Sequence, residues 1–157
     1  MGQVYSASFS AVAVTALQDL FQLLPPADAV VLIHSITITQ SSDAGDSEAE
    51  MLQINISRTD FSINGSGGSV PTPRPHERGF AAAATVVEAN NTTLSTVQTI
   101  IQPLSFNVQA GWFYQPTPEE RIVISADITE GLVVNLPVGP SDELTMSGVI
   151  VFEEIGG

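Results

Sequence analysis

The chain has 157 residues, about one domain, and carries 17 acidic side chains against four arginines, no lysine and no cysteine, for a net charge of −13. This excludes disulfides, thiolate metal sites and thiol catalysis. It also argues against binding a nucleic-acid backbone or an anionic membrane, since both need clustered Lys and Arg.

The sequence opens on an alternating run. Tyr5, Ala7, Phe9, Ala11 and Ala13 form one face of a first strand, and Ser6, Ser8 and Ser10 form the other. No basic segment leads into a long apolar run, so a soluble chain without a secretory signal is expected. Leu17, Leu20, Phe21 and Leu24 then recur at i, i+3, i+4 and i+7. With Thr15 and Gln18 in a capping-box pattern and Pro25-Pro26 as a stop, this spacing predicts one short helix over residues 16–24, lying across an end of the core.

The apolar stretch Ala29 to Ile33 is far too short to span a bilayer and leads into a strand that places His34 on the face of Leu32, Ile36 and Ile38. The segment SSDAGDSEAE (41–50) is a small, acidic loop. Asp43, Asp46, Glu48 and Glu50 invite a calcium reading but lack the order of an EF-hand, so a solvated loop is the alternative. Leu52, Ile54 and Ile56 alternate with Gln53, Asn55 and Ser57 as a further strand.

Residues 64–80 (NGSGGSVPTPRPHERGF) join a glycine stretch to three prolines and hold Arg74, His76 and Arg78, the only locally basic segment. Two readings stand: an arm projecting to a neighbouring subunit, or plain surface chain.

Residues 111–125 (GWFYQPTPEERIVIS) concentrate three of the ten aromatic residues. If they begin a strand, Trp112 and Tyr114 share one face and Phe113 takes the other. One side then anchors the core and the other meets a neighbouring sheet or subunit. Exposed aromatics beside Gln115 would instead suit a sugar, so packing and ligand platform are both open. Pro116 and Pro118 impose an extended turn before the strand of Ile122 and Ile124. Leu132, Val134 and Leu136 follow, and the closing run Leu144 to Ile155 is apolar on both faces in its middle, as in a central or interface strand.

Eight or nine strands punctuated by Gly, Pro and Asp/Asn turns define an all-β, single-domain β-sandwich or jelly-roll-like fold over 1–157. No catalytic signature is legible. His34 and His76 have no metal or triad spacing, the adjacent pairs Glu119-Glu120 and Glu153-Glu154 point to opposite faces of a strand, and no phosphate-binding glycine loop occurs. No cofactor or metal is expected. The three triplets beginning at Asn55, Asn64 and Asn90 match the glycosylation pattern by chance in a chain of this kind.

The stretches SSDAGDSEAEML, GSGGS with TPRP and RG, ANNTT, NVQAGWFYQPTPEERIVIS and LTMSGVIVFEEIGG resemble a family of small β-rich structural proteins of tailed bacteriophages and prophages. The resemblance spans nearly the whole chain, but its motifs are turns, strand edges and the aromatic corner, so it transfers no catalytic residue. It implies a capsid decoration, or cement, protein made in the bacterial host cytoplasm. Such a protein would sit on the outer surface of the major capsid protein as a homo-oligomer, a trimer favoured. Tyr5 and Phe9 of the N-terminal segment, Arg74, His76 and Arg78 of the 64–80 loop, Trp112, Phe113 and Tyr114, and the tail from Glu153 are the candidate contacts. The alternative is a receptor- or glycan-binding module of a head or tail fibre.

Overall fold

The computed structural model describes residues 2–41, 50–59, 65–96 and 98–156. Eleven strands form two antiparallel sheets packed face to face. The first sheet runs β5 (Arg74–Pro75), β1 (Gln3–Val14), β11 (Leu144–Gly156), β3 (Ala29–Gln40), β8 (Trp112–Tyr114), with β9 (Val123–Ile124) also on β3. The second runs β6 (Val86–Asn91), β2 (Gln18–Leu24), β10 (Gly131–Leu136), β4 (Met51–Thr59), β7 (Gln98–Asn107).

With the short or inserted strands β5, β6 and β9 set aside, the orders β1-β11-β3-β8 and β2-β10-β4-β7 remain. This is the order that two Greek keys produce in a jelly roll. Residues 65–96, inserted between β4 and β7, donate β5 to the outer edge of β1 and β6 to the outer edge of β2. One lateral side of the sandwich is thereby closed. The opposite side ends in β7 and β8, which have no further strand beside them among the described residues.

The 64–80 segment is therefore not a projecting arm over its described part. Ser66 bridges Thr93, Ser69 bridges Ala89, and Arg74 and Pro75 pair with Ser6 and Tyr5. Gln3 and Val4 pair with Glu154 and Glu153 in the middle of the first sheet.

The expected helix over 16–24 is absent; residues 18–24 are β2. The apolar recurrence misleads because both faces of this strand are covered, which removes the period-two signal. Phe21 and Leu23 face the core, while Asp19 and Gln22 lie under the inserted segment, receiving hydrogen bonds from the Ser95 and Gly65 amides at 2.8 and 3.2 Å. The register skips Leu20 between Phe21 and Asp19, and this bulge gives the run its helix-like spacing. Elsewhere, a 3-10 turn at Pro118–Glu120 is the only helical element among the described residues.

Two more bulges reassign faces. In β1 the register shifts between Phe9 and Val12, so beyond Phe9 the inward positions are Val12 and Val14, and Ala11 and Ala13 are exposed. Ala11 has φ 53°, a left-handed conformation that costs an L-residue with a Cβ about 1 kcal/mol. Ala11→Gly is expected to raise stability by about 1 kcal/mol, read as a higher urea midpoint with an unchanged slope. In β3 the register skips His34. Val31 and Ile33 point inward before it, Ile36 and Ile38 after it, so Leu32 and His34 leave the face of Ile36 and Ile38 for the outer surface.

The core joins both sheets. Phe9 meets Phe21 across the sandwich at 5.1 Å between ring centroids, and Tyr5 stacks on its partner Phe152 at 5.8 Å. Gly148 lies opposite Phe9 in the register. A Cβ there would come within 2.5 Å of the Phe9 ring, so the missing side chain is the space that the ring occupies.

Candidate functional site

Of the eight residues proposed for contact, the structure buries four. Tyr5 and Phe9 are core residues, and the Tyr5 hydroxyl is held by Gln3 and, at 3.3 Å, by the Ala81 carbonyl. Burial, reinforced by Glu154, raises its pKa above the ordinary tyrosine value. Trp112 and Tyr114 are 6% and 8% exposed, stacked on each other at 6.3 Å, and belong to the core. Neither can be the platform for a sugar. Phe113, between them, is 67% exposed. Arg74, His76 and Arg78 are exposed, gathered where β5 covers the edge of β1, and the His76 amide donates to the Val4 carbonyl at 2.9 Å.

The aromatic corner has a local cause. Gly111 takes φ 74°, and a Cβ there would meet the Ile38 carbonyl at 3.0 Å, so glycine lets the chain turn tightly into β8. Ile38 then pairs with Trp112, Thr37 with Phe113 and Ile36 with Tyr114, and strand alternation turns Trp112 and Tyr114 inward. Past Tyr114, Pro116 leads the chain away towards the 3-10 turn.

A cleft of about 370 Å³ opens beside this corner, lined by Gln102, Phe113, Tyr114, Gln115, Pro116 and Glu120. It lies on the uncovered lateral side, where β7 and β8 approach each other from opposite sheets. The Tyr114 hydroxyl is buried there and makes no well-formed hydrogen bond among the described residues. Burial raises its pKa, an effect that a weak hydrogen bond with the Gln102 side chain offsets in part and Glu120 reinforces. Along β7, Ile100, Ile101 and Leu104 are exposed. Pro103 has no N–H to offer a further strand, which blunts this edge against pairing with another sheet.

The outer faces of the two sheets differ. That of the second sheet carries Asp19, Gln22, Asn55, Ser57, Thr59 and Asn135, all buried. The outer face of the first sheet is open. Its rows read Arg74–Ser6–Val151–Ser35 and Ser8–Val149–Thr37–Phe113. Glu153, at one end, is its only carboxylate among the described residues, and His34 Nε2 lies 2.9 Å from it. The bulge at His34 makes this pairing possible, and sequence periodicity gives no sign of it.

A larger cavity of about 530 Å³, which the sequence did not suggest, lies at one end of the sandwich beside Gln3, Tyr5, Asp28, Ala81 and Glu154. Its central carboxylate is already engaged. Glu154 accepts from the amides of Thr85 at 2.6 Å and Ala84 at 3.3 Å, so it fastens the inserted segment to β11.

Among the described residues no group of three or more His, Asp or Glu is placed to hold a metal ion. Asp43, Asp46 and Glu48 lie outside the described residues; Glu50 accepts from the Ser141 amide at 2.7 Å. Asn55, Asn90 and Asn91 are buried, out of reach of glycosylation, and Asn64 lies outside the described residues. No helix among the described residues is long and apolar enough to cross a membrane. No family model, curated protein or solved structure matches the chain.

Proposed function

We propose that the chain is a non-enzymatic structural protein of a virion, a capsid decoration protein that binds the outer surface of the major capsid protein as a homo-oligomer, a trimer favoured. The observation that carries this reading is the open outer face of the first sheet, which carries a single carboxylate among the described residues, Glu153, and the Arg74 guanidinium at its edge. Copies with a net charge of −13 repel one another, so a stable contact between them must fall where carboxylates are missing. The face of Ser8, Val149, Val151 and Thr37 meets that condition, and its one carboxylate is matched by His34.

Its size is modest. Seven residues on each of β1, β11 and β3, with the short β5, β8 and β9, at about 4.8 Å spacing and about 3.4 Å rise give a footprint of roughly 450 Å² before side-chain relief, over half of the ~800 Å² per partner of stable interfaces. The jelly-roll order and the motif resemblance support the virion setting by analogy of fold and sequence words. The apolar strip of Ile100, Ile101 and Leu104 is then left for the shell, and several weak contacts per oligomer add up when all its subunits engage at once.

The test is size by light scattering. The wild-type chain is expected to be an oligomer at micromolar concentration, and Val149→Asp, which places a new carboxylate opposite its copy, is expected to shift it to monomer without loss of fold. A monomeric wild type would sink the self-assembly reading. Copy number in purified virions then tests placement: a count near that of the major capsid protein supports decoration, and a few dozen or fewer refutes it.

A further inference from the structure

We infer that the cleft between β7 and β8 binds a neutral saccharide, with Phe113 as the stacking platform. This is separate from the self-assembly reading except at Phe113, which also ends one row of the proposed self-assembly face.

Three observations lead to the ligand class. Phe113 presents an aromatic face that is two-thirds exposed at the rim of a cleft, on a strand held on one side by β3. A lone exposed phenylalanine is common, but this one is joined by two amides, Gln102 and Gln115, and the Glu120 carboxylate in one lining. Amides both donate and accept, and a carboxylate accepts, which matches the mixed hydroxyls of a sugar above an apolar ring face. The third observation is the buried Tyr114 hydroxyl, whose one hydrogen bond in the lining is a weak one with Gln102. A buried hydroxyl so poorly partnered is unfavourable, and a sugar hydroxyl reaching it past the half-buried Gln102 would satisfy it.

Charge narrows the class further. No Lys, Arg or His lines the cleft, Glu120 does, and the chain is strongly acidic. Uronate, sialylated and sulfated sugars would meet repulsion with no compensating cation. The ligand is therefore an uncharged hexose or N-acetylhexosamine chain. The volume of about 370 Å³ accommodates a few sugar rings and lies within the range of small-molecule sites.

The experiment is calorimetric titration of the full chain with neutral hexasaccharides of glucose, galactose, mannose and N-acetylglucosamine, beside hexagalacturonate as the anionic counterpart. At least one neutral probe is expected to bind with a millimolar or tighter Kd, and hexagalacturonate is expected not to. Phe113→Ala is expected to weaken binding about tenfold with unchanged melting temperature, and the same loss is expected in the Val149→Asp background, whose substitution lies outside the cleft, which separates loss of the cleft from loss of assembly. Tyr114→Phe is expected to be at least as heat-stable as wild type yet to bind more weakly, a combination that a purely packing role for the hydroxyl would not give.

Absence of binding by every neutral probe at about 10 mM overturns the inference. So does binding that survives Phe113→Ala, or equal binding of hexagalacturonate. Full affinity in Tyr114→Phe overturns the part assigned to the hydroxyl.

Discussion

Phe152→Ala is expected to destabilise the fold by about 3–5 kcal/mol, enough to unfold much of a domain of ordinary stability. Phe152 is fully buried in β11, the strand with β1 on one side and β3 on the other, so its ring sits at the junction of three strands. Its cross-strand partners are Tyr5 and Ile33, both buried, and the Tyr5 ring stacks on it. Removing the ring leaves a cavity that strands fixed by their hydrogen-bond ladders cannot close. It also takes away the surface on which Tyr5 rests, and Tyr5 in turn holds the Ala81 carbonyl of the inserted segment. Urea unfolding should show a lower midpoint. Phe152→Leu, which keeps much of the volume, should lose less than half as much. A loss under about 1 kcal/mol for the alanine variant would mean that the junction is not packed as described.

The second large effect depends on pH. Asp19 is 1% exposed, and its carboxyl is pushed up to about 6 by burial, against the lowering effect of the Ser95 amide and the Gln98 side chain that donate to it. No cation pairs with it among the described residues. The folded state therefore holds the proton more tightly than the unfolded state, whose carboxyl titrates near 3.8. The resulting contribution to stability is fully present below about pH 4 and is lost as the pH rises through about 6. It amounts to on the order of 2–3 kcal/mol. Asp19→Asn cannot ionise and escapes this loss. It is expected to exceed the wild type in stability by on the order of 2 kcal/mol at pH 8, with the two curves converging near pH 4. Unfolding both chains in urea from pH 4 to pH 8 checks this, and the difference between them isolates Asp19 from the general self-repulsion of an acidic chain. A difference that stays flat across that range would remove Asp19 as its source.

Alternation made most of the architecture legible. Tyr5, Ala7 and Phe9, then Leu52, Ile54 and Ile56, and Leu132, Val134 and Leu136, all face the core as the period-two reading places them. The reading failed where a strand lacks two distinct faces or slips register. β2 is covered on both sides and bulged at Leu20, so its apolar residues fell by coincidence on a helical stripe. The bulges at Ala11 and His34 each reverse the inward face midway along a strand, and nothing in local composition announces them.

The candidate site was half legible. That Phe113 opposes Trp112 and Tyr114 follows from strand geometry alone, but which side is the core depends on the register with β3. The cleft also needs Gln102 from another sheet, and the carboxylate-poor face needs strands from distant parts of the chain. Such juxtapositions arise only from the fold.

The pairing of β1 with β11 has a kinetic consequence. β1 lies between β11, more than 130 residues away in sequence, and the two-residue β5, and β3 has β11 on one side and only the short β8 and β9 on the other. Until residues 144–156 have left the ribosome, the first sheet has no centre, and the apolar inner faces of β1 and β3 have no strand to hold them together. Closing so long a loop delays the rate-limiting step, so this jelly roll belongs among slowly folding, high-contact-order domains. The nascent chain must keep those strands from other partners until residues 144–156 have emerged.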